Sequence, residues 1–233
     1  MNALLPAGVP APRMLATTEL DGWVVLLFED VDGRQPEIPW LLPDFEATLD
    51  ALGAVGAVDA SALDLPAASE MLGSDYAGFT RLIHDPDPDL DPWIAAHLPE
   101  LDRLALDALP RSDGDRLCVV DARSDNTLLA DGRAWILDWP WAARGTAHLD
   151  ACLLTATAYG QGATFDPGEV TDAWLAARGV SPQVLTDALL GAMAFLADAG
   201  RRPAPPGLEE LGTFRRRFRD ALIPVMARRL ALD

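Results

Sequence analysis

The chain has 233 residues, half of them apolar, and its 36 acidic residues against 18 basic ones leave a formal net charge of −18. That length and composition support a sizeable buried core and argue against intrinsic disorder, while the acidic balance disfavours a nucleic-acid partner, whose phosphates need a basic face. All 18 basic residues are arginine, which excludes lysine-dependent phosphate sites and Schiff-base chemistry.

An acidic surface suits a cationic small molecule as partner, although solubility alone also accounts for such a charge. No stretch approaches the roughly 18 consecutive apolar residues of a membrane span. The first residues lack the basic, apolar and small-residue segments of a signal peptide. The expectation is a soluble cytoplasmic protein with no membrane partner. Cys118 and Cys152 lie in apolar segments without metal-ligand spacing and read as reduced core residues.

In chain order, the Pro-rich segment LPAGVPAPRML reads as a connection, and GWVVLLFEDVDG (22–33) as a buried strand leading into an Asp-Gly turn. Helical apolar spacing runs from Pro43 to about Val58, with proline at a first-turn position. AASEMLGSDYAGFTRLIH (67–84) reads as a single helix. The alternating Asp and Pro of DPDPDLDP (85–92) allow neither helix nor central strand, and its last Asp and Pro start the next helix, WIAAHLPELDRLALDAL.

Then the periodicity changes. RLCVV, NTLLA and AWILDW are short strand-like runs, with ADG (130–132) as the hairpin turn between the last two. Trp135, Trp139 and Trp141 read as core of this region. From about Ala147 onward the chain reads as helices separated by FDPG, GVSP and GRRPAPPG. The last, FRRRFRDALIPVMARRL, is a basic amphipathic helix expected to pair with the protein's own acidic face.

The segment RLCVVDARSDNTLLADGRAWILDWPW (116–141) carries the chemistry. Asp121 leaves one strand, Asn126 follows five residues on, and Asp138 closes the hairpin, so the three are expected to converge on one edge of it. Turn chemistry explains each residue singly, but not the set. Three oxygen-bearing side chains gathered there are what Mg²⁺ and an attacking hydroxyl require, because Mg²⁺ takes one or two carboxylates together with phosphate oxygens and water.

VVDARSDN, ILDWPW and HLDACLL resemble the catalytic and metal-binding loops of the aminoglycoside phosphotransferase family, small-molecule relatives of the protein kinases. The resemblance implies a protein-kinase-like α+β fold, mainly a helical C-terminal lobe with a small catalytic hairpin. By the match, Asp121 would be the catalytic base, Asn126 and Asp138 the Mg²⁺ ligands, and Asp150 the brace of the loops. Backbone groups around Phe28, Glu29 and Asp30 would form the hinge that meets the adenine of ATP. Residues 1–33 would be a remnant of the N-terminal lobe with its hinge strand, and residues 34–233 the helical lobe. The implied reaction is ATP-dependent phosphoryl transfer to a hydroxyl of an aminoglycoside or another sugar-like compound.

Departures from the pattern bear on that expectation. Val119 and Val120 stand where the family commonly has His and Gly. No Gly-rich phosphate loop and no anchoring lysine precede the hinge, where Arg13 is the lone cation. Losing a charged clamp removes electrostatic stabilisation of the transition state, so slow turnover is expected. The implied alternatives are a missing N-terminal segment or partner chain, or a catalytically inactive lobe that binds a small molecule or protein.

Overall fold

Proline in the first turn opens three of the helices, as its fixed φ and missing N–H allow. In the computed structural model, which describes residues 5, 6 and 8–233, the chain starts with an antiparallel hairpin. Its strands are β1 (Met14–Leu20) and β2 (Trp23–Phe28), turning through Asp21 and Gly22 at positive φ. Helices α1 (Leu42–Gly56), α2 (Ala68–Tyr76), α3 (Gly78–His84) and α4 (Pro92–Ala108) follow. Next come four short strands: β3 (Arg116–Cys118), β4 (Thr127–Ala130), β5 (Arg133–Ile136) and β6 (Ala143–Gly145). The chain closes with α5 (Leu149–Gln161), α6 (Pro167–Ala176), α7 (Gln183–Ala199) and α8 (Leu211–Leu230). Asp91 and Asp166 cap α4 and α6, each accepting two backbone N–H bonds that the helix start leaves unsatisfied.

β4 and β5 pair in a hairpin whose turn uses Asp131 and Gly132, both at positive φ, as a tight two-residue turn demands. Arg34 exchanges two backbone hydrogen bonds with Leu129 and so ties the segment after β2 to this hairpin. β3 pairs with β6 in a separate two-stranded sheet.

Two apolar clusters hold these parts. One joins α2 to α8 around Tyr76, Phe79, Leu101, Leu189, Met193 and Leu222. The other packs α1 on the strands through Trp40, Phe45, Leu49, Leu117, Ile136 and Trp139. Helix α5 serves both, giving Cys152 to the first and Leu154 and Ala158 to the second. Cys118 and Cys152 are free and buried, and burial pushes both thiols up. The basic α8 does pair with acidic residues of the chain, Arg229 with Asp172 at 2.7 Å and Arg228 with Asp166 at 3.4 Å.

Several sequence expectations are corrected. The connection read through Leu15 gives way at Met14 to a strand. β2 is not buried: Trp23 is 76% and Val24 65% exposed. An unbroken apolar run signals a strand fit for cover on both faces, and among the described residues only β1 pairs with it. The single helix read over 67–84 breaks at Ala77, since Gly78 approaches α7 so closely that a Cβ there would lie 2.0 Å from the Ala194 carbonyl oxygen. Trp139 is core as expected, whereas Trp141 is 54% exposed. β6, only three residues long, carries no periodicity to read.

Candidate functional site

The loop after β3 is held from below by one face of α5. Asp150, in the first turn of that helix and buried, accepts hydrogen bonds from Val119 N–H at 2.7 Å and Val120 N–H at 2.8 Å. Burial pushes its carboxyl up to about 6, and the two backbone hydrogen bonds act in the opposite sense. Two and three turns along the same face, Thr157 Oγ1 donates to the Ala122 carbonyl at 3.3 Å and Gln161 Nε2 to Ser124 Oγ at 2.6 Å. Gln161 is itself fixed by Trp40 Nε1, which donates to its Oε1 at 2.8 Å.

Held this way, the loop brings Asp121 and Asn126 together. Asn126 Nδ2 donates to Asp121 Oδ2 at 2.9 Å and to the Asp121 carbonyl at 3.0 Å. Leu137 N–H donates to the Asn126 carbonyl at 2.8 Å, which registers the end of β5 against the loop just before Asp138. Burial raises the Asp121 carboxyl above its usual value, the neighbouring Asp125 and Asp138 charges add to this, and Arg123 and the Asn126 bond oppose it. Arg123 Nε lies 3.5 Å from Asp121 Oδ1. Asp121, Asn126 and Asp138 thus form one neighbourhood.

Val120 occupies left-handed backbone space at φ +63°. A β-branched residue there is strained by roughly 1–2 kcal/mol, because its Cβ crowds the following carbonyl. Glycine escapes that clash, and alanine does not. Val120→Gly is therefore expected to be more stable than Val120→Ala by about 1 kcal/mol, the reverse of the ordinary order. Urea unfolding midpoints of the two variants check it; an alanine variant at least as stable as the glycine one would contradict the strained geometry.

Two clefts meet this neighbourhood. The smaller, about 540 Å³, is lined by Phe28, Glu29, Asp30, Leu128, Asp138 and Trp139. The structure so brings the expected hinge residues and Asp138 into one cavity. Glu29 N–H is taken by the Arg13 carbonyl at 2.9 Å, and the Glu29 side chain by Arg13 N–H at 2.9 Å. Among the described residues, the Glu29 carbonyl and Asp30 N–H have no backbone partner, so these are the groups open to a ligand. The larger cleft, about 800 Å³, contains Asp121, Arg123 and Asp125 at one end and residues of α2, α7 and α8 elsewhere.

The donor set fits Mg²⁺. Asp138 and Asn126 Oδ1 make no hydrogen bond among the described residues, and no group of three or more His, Cys, Asp or Glu side chains clusters there. One carboxylate and one amide oxygen suit an ion that keeps phosphate and water ligands rather than one needing an all-protein cage.

No protein-family model matches the sequence, and no curated protein matches it. Solved structures do match. A choline/ethanolamine kinase family protein from Mesorhizobium loti is 17% identical with a TM-score of 0.61, covering 95% of this chain and 77% of its own. An aminoglycoside phosphotransferase from Alicyclobacillus acidocaldarius is 14% identical with a TM-score of 0.60, covering 96% and 79%. A thermostable mutant of another aminoglycoside phosphotransferase, in ternary complex with AMP-PNP and hygromycin B, is 14% identical with a TM-score of 0.56, covering 95% and 79%.

The fold is kinase-like. Within this kinase-like α+β fold, no helix of the described residues is long and apolar enough to cross a membrane. Sequence reasoning missed Thr157 and Gln161. Their signal was available: with Asp150 they form a polar stripe at helical spacing on a mostly apolar helix. Ser124 carried no such signal, because a serine in a loop is ordinary.

Proposed function

We propose that this chain is a kinase-like phosphotransferase that moves a phosphoryl group from ATP to a hydroxyl of a small molecule bearing a cationic group. The observation that carries this reading is the juxtaposition of Asp121, fixed by Asn126 at 2.9 Å, with Asp138 on the wall of a cleft that also holds Phe28, Glu29 and Asp30. Residues 1–33 act in it as hinge and N-terminal remnant, and residues 34–233 as the lobe that carries the catalytic loops.

In this reading the adenine meets the Glu29 carbonyl and the Asp30 N–H. Asn126 and Asp138 hold Mg²⁺, which when bound neutralises phosphate charge. Asp121 accepts the proton of the attacking hydroxyl, a task that its raised pKa suits. Asp150, Thr157 and Gln161 keep the loop still while this happens. The larger cleft, with Asp75 and Asp125 among its lining, receives the acceptor. A neighbour of the same fold is known with AMP-PNP and hygromycin B bound, which supports the nucleotide and the acceptor class alike.

A second reading is favoured by the absence of lysine: a lobe that binds these ligands without transferring phosphate. Calorimetric titration with ATP, with and without Mg²⁺, tests the nucleotide half. Binding is expected to require Mg²⁺ and to weaken at least tenfold in Asp138→Asn, about 1.4 kcal/mol. No Mg²⁺-dependent binding at millimolar ATP would remove the phosphotransferase reading.

A further inference from the structure

The larger cleft contains two opposite charges, neither of which forms an ion pair among the described residues. Arg215, on the first turns of α8, is half-buried and donates from Nη1 to the Ala199 carbonyl at 3.2 Å, with its guanidinium 5.5 Å from the Phe195 ring centre. The other arginines that are at least half-buried, Arg81, Arg144, Arg201, Arg219 and Arg229, each pair with a carboxylate. Arg215 does not, among the described residues, in a chain where acids outnumber arginines two to one. Burial and the nearby Arg202 charge push its pKa down, so the fold holds it at some cost.

Asp75, near the end of α2, is the counterpart. It lines the same cleft, its carboxylate accepts no hydrogen bond among the described residues, and burial raises its carboxyl against the opposing charges of Arg81 and Arg202. A partly desolvated charge without a partner is unfavourable unless something neutralises it. Asp121, the expected proton acceptor, opens onto this same cavity.

We infer that the acceptor is a zwitterionic alcohol, a hydroxylated amino acid or a close relative, whose carboxylate meets Arg215, whose ammonium meets Asp75 and whose hydroxyl reaches Asp121. Arginine presents a planar fork that matches a carboxylate's two oxygens. The inference rests on the phosphotransferase reading for its hydroxyl end alone; the two charge contacts stand on the cleft itself.

Direct binding of hydroxyl-bearing α-amino acids of graded chain length, each compared with its decarboxylated amine and its deaminated acid, tests this without any turnover. At least one amino acid is expected to bind ten times or more tighter than both of its truncated analogues. Arg215→Gln should erase the preference over the amine only, Arg215→Lys should restore part of it, and Asp75→Asn should erase the preference over the acid only. Circular dichroism and unchanged Mg²⁺-ATP binding confirm that the variants are folded. Amines that bind as tightly as their amino acids, a discrimination that survives Arg215→Gln, or no binding by any member at millimolar concentration would overturn the inference. Discriminating binding without phosphate transfer would sink the phosphotransferase reading and leave this one standing; transfer to acceptors lacking a carboxylate, with equal efficiency, would do the opposite.

Discussion

Raising the pH from 4 to 7 is expected to reduce the stability of the wild type relative to Asp150→Asn by about 2–3 kcal/mol, following the shift of this buried carboxyl from 3.8 to about 6. The folded state holds its proton more tightly than the unfolded chain does. Asp150 therefore contributes most below the unfolded value, and that contribution fades as the pH passes through about 6. The comparison with the asparagine variant matters, because Asp44 and Asp198 have carboxyls below the usual range and push the wild-type curve the other way. Those terms cancel in the difference, since neither residue touches Asp150. Urea unfolding of both proteins at pH 4, 5, 6 and 7 measures it; parallel curves would mean that Asp150 has an ordinary pKa. The physical interest is that the ionised form, which the fold disfavours, is the one with two full acceptors for the Val119 and Val120 amides. At neutral pH the chain thus gives up stability at the residue that holds the loop of Asp121 in place, a trade common at functional sites.

Much of the helical lobe was legible because its signals are local. The start of α1 beside Pro43, the Asp91-Pro92 start of α4 and the Asp131-Gly132 turn each follow from one or two residues whose backbone preferences leave few options. The meeting of Asp121, Asn126 and Asp138 was legible too, since strand ends and a short hairpin limit where those side chains can go, whereas Asp150 was marked by the family resemblance alone. What could not be read depends on distant partners. The exposure of β2 turns on whether another layer covers it, and the break at Ala77 on the approach of α7 more than a hundred residues away. The Arg215 and Asp75 charges share a cleft only because α2 and α8 pack on α7. No spacing in the sequence encodes that meeting.

Asp121→Asn is expected to lower phosphate transfer by a factor of 10³ or more, about 4 kcal/mol of barrier, within the range of a lost general base. The substitution is close to isosteric. The Asp121 carbonyl still accepts from Asn126 Nδ2 at 3.0 Å, and the new amide oxygen can replace Oδ2 as the other acceptor. Loop position and Mg²⁺-ATP affinity should then change little, so the loss would fall on turnover and not on nucleotide binding. The wild-type rate should rise with pH through a carboxyl pKa above the ordinary Asp range, because burial and the Asp125 and Asp138 charges keep the Asp121 proton bound longer. That limb should vanish in the variant's residual activity. Steady-state rates from pH 4 to 8 with a transferred acceptor give both readouts. Transfer retained within tenfold would show that Asp121 is not the base. A chain that binds Mg²⁺-ATP and transfers nothing, with or without the substitution, would be a binding lobe on a kinase-like fold. The difference between those outcomes lies in whether Asn126, Asp138 and the arginines can stabilise the transferring phosphoryl group in a chain that has no lysine to do so.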